Sequence, residues 1–439
     1  MVPAKRVYLL LILAIIIAPI IATILGVFAS IAITLLFDVI VLTLMIVDGM
    51  RERKFRVKIE RELPPRLSIG RNNPVLLKVT SITNSIIQIR DDYPKAFNAN
   101  QSILRTTTAK DTLSEITYTV FPSQRGEFPW GDIQVRQLGA WGLAWDDWKI
   151  PQSCKIKVYP DLVGLRSLTI RLTLQSSGAM RQRQVGIGTE FAELRNYRTG
   201  DDLRLIDWKA TARRVGAYGN TSPLVRVLEP EQEQTLLILL DRGRLMTAQV
   251  QGLQRFDWGL NATLSLALAG LHRGDRVGVG VFDRQIHTWI PPERGQYHLN
   301  RLIDRLTPIQ PELLESDYLG AVTNVVQQQT RRCLVVIITD LVDITASSEL
   351  LASLSRLTPR YLAFCVALRD PQVDNLAHTF TEDATGAYSR AVALDLLAQR
   401  QVAFAKLKQR GVLVLDAPAN QISDSLVDRY LQLKARNQI

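Results

Sequence analysis

Two aspartates, Asp241 and Asp340, each follow a short apolar run of the kind that forms a buried strand. The first run reads TLLILLDRGRLM and the second reads CLVVIITDLVD. Apolar runs of about four to eight residues suit the buried strands of a parallel sheet. Ligands of open α/β sheets gather beyond the carboxyl ends of such strands. Two carboxylates at two strand ends therefore predict either a site for a hard cation or an acidic docking point.

Other recognisable chemistry is missing from the sequence. It has no GxxxxGK[ST] loop for nucleotide phosphates and no GxSxG nucleophile elbow. The four histidines show no metal-ligand spacing, and no nucleophile stands at a recognisable distance from a base. Cys154, Cys333 and Cys365 are far apart and form no CxxC pair, which predicts reduced thiols in a disulfide-free, cytoplasmic protein.

The two acids fall in residues 234–439, where strand and helix patterns alternate. The predicted strands are 236–240, 276–282, 334–339, 361–367 and 412–415. The predicted helices are 256–272, 317–330, 347–356, 389–410 and 421–435. An antiparallel edge strand is expected after a tight turn at Asp283–Arg284. This alternation predicts a doubly wound parallel sheet, which would bring the ends of its strands to one edge.

Residues 163–233 precede this domain and are predicted to be a linker followed by a charged segment. The stretch 165–184 is polar and typical of a flexible connection, whereas 188–214 alternates charge sign around aromatic and leucine side chains. A mixed-sign run usually marks a solvated helix face. The interleaved apolar residues instead favour a half-buried polar network at an interdomain contact or a partner surface. Its expected members are Arg195, Asp202, Arg204, Asp207, Trp208, Lys209 and Arg213.

Residues 51–162 read as short strands rich in β-branched residues, separated by proline and glycine. Regular short strands with turn signals predict a β-sandwich-like domain. Four tryptophans cluster here, at positions 130, 141, 145 and 148. They are interpreted as packing residues of a small β domain, with an aromatic patch for a partner or a membrane as the alternative.

Residues 1–50 are predicted to be a two-helix membrane anchor, because 7–47 is almost wholly apolar and about twice as long as one membrane-spanning helix. The two helices are expected at about 7–25 and 28–47. A cleaved signal peptide is the alternative, but its apolar region would be shorter. Basic residues flank both ends, which predicts a multi-pass protein of the inner or plasma membrane with both termini and the soluble domains cytoplasmic. Asp38 lies within the second helix and is expected to be protonated or paired with Thr34 or Thr23.

The length and charge of the chain fit this multi-domain interpretation. It has 439 residues, a formal net charge of +11 and a pI of about 9.6. A basic balance can indicate nucleic acid, an anionic membrane or an acidic partner. Because the charge is scattered over most of the chain, it favours a membrane and a protein partner over nucleic acid.

Several segments together resemble the bacterial "domain of unknown function 58" family. They are VRVLEPEQEQ, LLILLDRGRLM, RFDWGLNATLSLALAGLHRGDRVGVGVFD, ESDY and VVIITDLVD, with RGEFPWGDIQVRQLGAWGLAW upstream. The likeness covers about residues 120–345. It implies a membrane hairpin, a β domain and a C-terminal von Willebrand factor A-like domain. It also implies an association with MoxR-type AAA+ ATPases.

In typical von Willebrand A domains the first strand ends in DxSxS and completes a Mg²⁺ site with a loop threonine and a later aspartate. The resemblance carries this set over to Asp241 and Asp340, with Ser316 or Asp317 near the site. The two serines are Gly243 and Leu245 here. A degenerate metal site at Asp241, Asp317 and Asp340 is therefore one expectation. The other is a metal-free site in which Arg242 or Arg244 pairs with Asp340.

The function expected from these observations is that of a membrane-anchored cytoplasmic scaffold or adaptor without enzymatic activity. Its expected partner is a protein, with a MoxR-type AAA+ ATPase as the best candidate, in complex assembly or envelope stress. One alternative is a cryptic metal-dependent hydrolase that uses the strand-end aspartates, although no general base or second metal cluster is visible. The other is a basic nucleic-acid binder.

Overall fold

The computed structural model of the chain describes residues 1–179, 190–215, 222–229, 234–341, 348–380 and 383–436. Its contacts divide the chain into an N-terminal unit, Met1–Asp161, and a C-terminal unit, Leu162–Ile439. The protein is thus built of more than one domain.

The N-terminal unit begins with two long apolar helices, α1 (Lys5–Leu25) and α2 (Val27–Glu52), followed by a 3₁₀ turn. Gly26 joins them with a φ of +86°, a conformation that favours glycine. Both helices are long and apolar enough to cross a membrane, by length and composition. The helices predicted at 7–25 and 28–47 are therefore confirmed as helices.

Two hydroxyl groups of helix α2 donate hydrogen bonds to backbone carbonyl groups. Ser30 Oγ donates to the Ala18 carbonyl across the pair at 2.7 Å, and Thr34 Oγ1 donates to a carbonyl of its own helix. In the described residues Asp38 Oδ1 is buried without a hydrogen-bond partner. The expected pairing of Asp38 with Thr34 or Thr23 is therefore not seen at this oxygen.

The rest of the N-terminal unit consists of strands. They are β1 (Val2–Pro3), β2 (Lys58–Glu62), β3 (Leu67–Ser68), β4 (Asn73–Ser81), β5 (Ser85–Asp91), β6 (Phe97–Ala99), β7 (Leu104–Thr108), β8 (Thr112–Pro122), β9 (Gly126–Trp130), β10 (Ile133–Leu138), β11 (Ala144–Ile150) and β12 (Cys154–Tyr159). They form a five-stranded sheet in the order β1-β11-β10-β5-β7, a four-stranded sheet β2-β4-β8-β6 and a three-stranded sheet β3-β12-β9. Buried and exposed residues alternate along β4 and β5, as expected of strands with one face on a core.

One ion pair lies inside this core. Arg61 Nη1 is 2.6 Å from Asp91 Oδ1, and both side chains are almost fully buried. The Tyr118 hydroxyl and the Trp130 Nε1–H also donate to Asp91, at 2.6 and 3.0 Å. Burial and the neighbouring Asp91 charge raise the pKa of Tyr118, which keeps its proton available for this bond. The cluster therefore joins β2, β5, β8 and β9.

The C-terminal unit alternates between helices and strands. Its elements are α3 (Leu162–Ala179), β13 (Glu190–Asn196), α4 (Trp208–Val215), β14 (Leu224–Glu229), β15 (Thr235–Asp241), β16 (Gln249–Val250), β17 (Leu253–Gln254), α5 (Arg255–His272), β18 (Arg276–Phe282), β19 (Ile286–Glu293), α6 (Gln296–Leu306), α7 (Tyr318–Gln328), β20 (Leu334–Thr339), α8 (Ser348–Leu357), β21 (Leu362–Arg369), α9 (Pro371–His378), α10 (Ala384–Gln409), β22 (Leu413–Pro418) and α11 (Ile422–Ala435). Short 3₁₀ turns lie at Leu203–Leu205, Arg244–Thr247 and Ala419–Gln421.

Six of these strands form one sheet in the order β19-β18-β15-β20-β21-β22. All neighbours are parallel except the edge strand β19, which pairs antiparallel with β18. The doubly wound parallel sheet and its antiparallel edge strand are thus confirmed. After β15 the chain adds β18 on one side and then β20 on the other, so strand order reverses between β15 and β20. That reversal is the topological switch point of the sheet.

The sequence-based expectations fail at one connection and miss three further helices. Residues 165–184 were expected to be a flexible connection, but α3 extends through 179, and 180–184 lie outside the described residues. Leu165, Leu168 and Leu172 are buried at helical spacing, and the polar residues between them mask this pattern in the sequence. The sequence does not predict helices α4, α6 and α9, because each is short and lies among polar residues.

Candidate functional site

The two strand-end acids lie at the switch point of the sheet. Asp241 is the last residue of β15, and Asp340 immediately follows β20. These strands are adjacent and parallel, with Leu240 opposite Ile338. Both acids are almost fully buried. The sheet therefore brings their carboxylates to the same edge, at the position where open α/β sheets bind ligands.

Asp241 is surrounded by neutral hydrogen-bond donors. Its Oδ1 accepts from the Gly243 N–H at 2.8 Å and from Ser316 Oγ at 2.5 Å. Its Oδ2 accepts from Thr339 Oγ1 at 2.6 Å and from the Tyr318 hydroxyl at 3.0 Å. Burial raises the pKa of Asp241 and outweighs these hydrogen bonds, which act in the opposite direction. Both oxygens are thus occupied by the protein itself.

Asp340 is held between two arginines. Its Oδ2 lies 2.6 Å from Arg255 Nη1, and its Oδ1 lies 2.7 Å from Arg400 Nη1. Arg400 also reaches Asp416 at 3.0 Å and donates to the Leu341 carbonyl. Burial disfavours the charged guanidinium, but Asp340 and Asp416 outweigh it and raise the pKa of Arg400. Guanidinium groups therefore supply positive charge beside Asp340.

Arg255 and Arg400 contact Asp340, and the two arginines named from the sequence do not. Arg242 pairs with Asp283 at 2.7 Å and with Glu312 at 2.6 Å, and Arg244 pairs with Glu315 at 3.0 Å. The prediction that Arg242 or Arg244 contacts Asp340 is therefore wrong. Arg242 turns toward β18, whose end carries Asp283, instead of toward β20.

Asp317 does not join the two strand-end acids in a metal site. Its Oδ1 accepts from the Gly320 N–H at 2.7 Å and caps the start of α7. Across the described ranges, no group of three or more histidine, cysteine, aspartate or glutamate side chains could hold a metal ion. Asp340 is neutralised by guanidinium groups and Asp241 is saturated by donors. The guanidinium groups beside Asp340 therefore oppose a cation at that carboxylate, and the described site offers Mg²⁺ no third carboxylate.

Glycine at position 243, where the resemblance leads us to expect a serine, has a steric explanation. A Cβ built on Gly243 would overlap Ser316 Oγ and lie 2.8 Å from the Leu314 carbonyl oxygen. The Ser316 hydroxyl thus fills the space next to Asp241 that a side chain at 243 would need. Ser316, Thr339 and Tyr318 therefore provide the hydroxyls of this site from three other positions.

Sequence reasoning missed the residues that complete the site. Arg255 begins α5 and Arg400 lies in α10, at 85 and 60 residues from Asp340. No local spacing links them to the strand. Thr339 could have been identified from the sequence, because it directly precedes Asp340 at the same strand end.

The charged segment is held by local ion pairs and caps. Arg195 binds Asp201 through two contacts of 2.6 and 2.7 Å, and Asp202 accepts from the Arg204 N–H at 2.9 Å. Asp207 accepts from the Ala210 N–H at 2.9 Å, which caps α4, and pairs with Arg226 on β14 at 2.8 Å. The acids of the segment thus stabilise its own fold.

The tryptophan of the segment and three of its predicted cations are exposed. The Trp208 side chain is 67% exposed, so the prediction that it belongs to a half-buried network is wrong. Arg204, Lys209 and Arg213 are exposed as well. Truncation of Trp208 would leave no cavity in the C-terminal unit. The segment remains a candidate for a partner or interdomain contact.

Asp207 should make helix α4 sensitive to acid. The Ala210 N–H and then the Arg226 guanidinium lower the pKa of Asp207. A lowered pKa contributes stability that is present above the ordinary carboxyl range and is lost as the pH falls through the lowered value. We expect amide exchange of Ala210 and Thr211, after correction for intrinsic rates, to rise in that acidic range. The variant Asp207→Asn should show faster exchange at neutral pH and no such pH dependence, and an unchanged profile would contradict the assignment.

Comparisons with known proteins identify distant relatives. The uncharacterized proteins Mb1516 of Mycobacterium bovis and Rv1480 of Mycobacterium tuberculosis are each 22% identical over 240 residues, covering 53% of this chain and 73% of the relative.

Two solved structures are also similar. The conserved hypothetical protein BatB from Bacteroides thetaiotaomicron is 13% identical, with a TM-score of 0.29, covering 46% of this chain and 99% of that one. An aerotolerance-related membrane protein from Bacteroides fragilis is 13% identical, with a TM-score of 0.29, covering 45% and 99%. The family match is more specific: residues 193–401, which contain the strand-end acids and the two arginines, match the model of the family described as protein of unknown function DUF58.

Proposed function

We propose that this chain is a membrane-anchored scaffold that binds a protein partner through the carboxyl edge of a von Willebrand factor A-like sheet. The observation that carries the proposal is the pair of arginines on Asp340. In a typical domain of that class a metal ion lies at this edge and receives an acidic side chain of the partner. Here Arg255 and Arg400 supply the positive charge at the strand end.

The occupied carboxylates argue against the alternative of a metal-dependent hydrolase. A general base or a metal ligand needs a free oxygen that faces the substrate or the ion. Both oxygens of Asp241 and of Asp340 already accept from protein donors at 2.5–3.0 Å. Asp317 is engaged as a helix cap. A scaffold that uses no metal accounts for all three residues.

Arg255 is the group that a partner would meet at this edge. Its side chain is 18% exposed, whereas the Asp340 side chain is 2% exposed. Nη1 is bound to Asp340 at 2.6 Å, and a guanidinium carries further N–H donors beyond the one used. A carboxylate of the partner is therefore the ligand class that suits the site.

The partner that the family resemblance suggests is a MoxR-type AAA+ ATPase. Helices α1 and α2 would anchor the chain in the inner or plasma membrane, with basic residues at both ends holding the termini and the soluble units on the cytoplasmic side. Such a scaffold would serve complex assembly or the response to envelope stress. The acidic partner side chain would replace the metal-bridged contact of related domains.

The test is a crosslinked pull-down of the full-length chain from membranes, read out for an AAA+ ATPase. We expect capture that chelation by EDTA does not reduce. Arg255→Gln should reduce capture about tenfold or more, because a charge-assisted hydrogen bond contributes about 1.5–3 kcal/mol. Arg332→Gln is the matched control, since this exposed arginine lies at the opposite end of β20.

Two outcomes would contradict the proposal. Loss of capture in EDTA would indicate a metal-dependent contact. Equal capture by the wild type and Arg255→Gln would show that the partner binds elsewhere, and the exposed Trp208 segment would be the next surface to test.

A further inference from the structure

A single turn of the N-terminal unit holds the end of helix α2. The turn joins β10 to β11 and comprises residues 139–143, named here the anchor turn. Asp48, near the end of α2, is fully buried and accepts from the backbone N–H groups of Trp141 and Leu143, each at 3.1 Å, and of Ala144 at 3.3 Å. A Cβ on Gly139 would overlap the Asp48 carboxylate, so the close approach requires glycine.

The same turn also holds the beginning of helix α1. The Ala4 N–H donates to the Leu143 carbonyl at 2.8 Å, and Arg6 Nη1 donates to the Trp141 carbonyl at 3.0 Å. Strand β1 continues this contact by pairing antiparallel with β11. The outer ends of both helices are therefore fixed to one point of the strand-rich part of the unit.

This arrangement determines where the turn lies if the helices span a bilayer. The apolar stretch begins at Val7, one residue after Arg6. A helix rises about 1.5 Å per residue, so Arg6 lies within a few ångströms of the start of the hydrocarbon layer. Trp141, which Arg6 contacts directly, must then lie at the level of the lipid headgroups.

The surface beside the turn has the composition of a membrane interface. Trp141 is 43% exposed and Ile86 is 45% exposed. Arg6, Ile86 and Leu138 line a cavity of about 240 Å³ together with residues 139, 140 and 142 of the anchor turn. Exposed tryptophan is enriched at membrane–water interfaces, because its ring is apolar and its N–H is polar. Arg6 adds a cation with N–H donors beyond the one given to Trp141.

We propose that this surface is a lipid-binding site: Trp141 and Ile86 lie in the headgroup layer, and Arg6 binds a phospholipid phosphate in the adjoining cavity. The occupant is lipid, because the surface is continuous with the two apolar helices. The strand-rich part of the unit is thereby seated on the membrane, not tethered above it. The inference rests on the membrane anchoring in the proposed function.

The test uses the full-length chain reconstituted into phosphatidylglycerol–phosphatidylcholine vesicles. The vesicles contain lipid brominated either near the headgroup or deep in the acyl chain, because bromine quenches tryptophan fluorescence at short range. The contribution of Trp141 is the fluorescence difference between the wild type and Trp141→Phe. We expect shallow bromine to quench most of this difference and deep bromine to quench much less. Trp130 is buried in the unit and is present in both proteins, so its fluorescence cancels when the two signals are subtracted.

A second pair of variants tests the phosphate contact. Arg6→Gln should reduce the shallow quenching of Trp141, because the cation that would hold a lipid phosphate beside the anchor turn is lost. Lys5→Gln is the matched control. Lys5 is an exposed cation next to Arg6 in the sequence, but in the described residues it has no hydrogen bond to the turn. Equal quenching in Arg6→Gln and the wild type would contradict the proposed contact between Arg6 and a lipid phosphate.

Failure of the inference can be separated from failure of the anchoring. Protein that does not float with vesicles and is released by alkaline carbonate would overturn the membrane anchoring itself. Protein that floats and resists carbonate, but whose Trp141 contribution is unquenched at both depths, would overturn the lipid site and leave the anchoring in place.

Discussion

Replacement of Asp340 by alanine should lower the free energy of unfolding of the six-stranded sheet by about 3–5 kcal/mol, because it leaves buried guanidinium charge without its partner. The Asp340 side chain is 2% exposed and lies 2.6 and 2.7 Å from Arg255 and Arg400. Arg400 would keep Asp416, but Arg255 has no other carboxylate partner in the described residues. The loss should be read from hydrogen exchange of the β20 and β21 amides of the full-length chain at increasing urea.

The matched control for Asp340 is Glu315→Ala. Glu315 also pairs with an arginine near this edge, Arg244, at 3.0 Å, but both side chains of the pair are largely exposed. Exposed pairs contribute about 0–1 kcal/mol, so this variant should retain nearly wild-type exchange. If Asp340→Ala were equally mild, water would have to reach the arginines, and the edge could not serve as the fixed docking point proposed above.

Replacement of Asp91 by alanine should be the most damaging single change in the strand-rich part of the N-terminal unit. We expect a loss of about 3–5 kcal/mol, because Arg61 would remain buried and unpaired. The Tyr118 hydroxyl and the Trp130 Nε1–H would lose their acceptor at the same time. The measurement is urea unfolding of the full-length chain in detergent, with hydrogen exchange of the β5 and β8 amides as the readout.

Asp147→Ala is the control in the same unit. Asp147 pairs with Arg136 on the adjacent strand at 2.8 Å, but both side chains are more than a third exposed. Its removal should cost no more than about 1 kcal/mol. A similar loss in Asp91→Ala and Asp147→Ala would show that the Arg61–Asp91 cluster is hydrated and that the core around Trp130 carries the stability alone.

The parallel sheet was readable from the sequence because each of its strands is a continuous apolar run. The strands predicted at 276–282 and 334–339 match β18 and β20, and the others agree within a few residues. The prediction that an antiparallel edge strand follows a turn at Asp283–Arg284 is confirmed by β19. Period and turn chemistry act within a few residues, so they can be read locally.

The contacts of the candidate site were not readable in the same way. Which arginine meets Asp340 depends on how α5 and α10 pack against the sheet, and that packing is set by the whole unit. Arg242 and Arg244 lie directly after Asp241 in the sequence, but each pairs with an acid other than Asp340. The exposure of Trp208 likewise depends on what α4 packs against, and an aromatic residue in a charged run does not reveal this.

The glycine at position 243 has a consequence for any attempt to give this edge a metal ion. Gly243→Ser would place a Cβ against the Ser316 hydroxyl, and removal of that hydroxyl would still leave the Leu314 carbonyl oxygen only 2.8 Å away. The loop would have to move, and Arg255 would have to release Asp340 before a cation could enter. Each of these changes alone is unfavourable. A single substitution would therefore not create a metal site at this edge, and a designer would have to make these changes together.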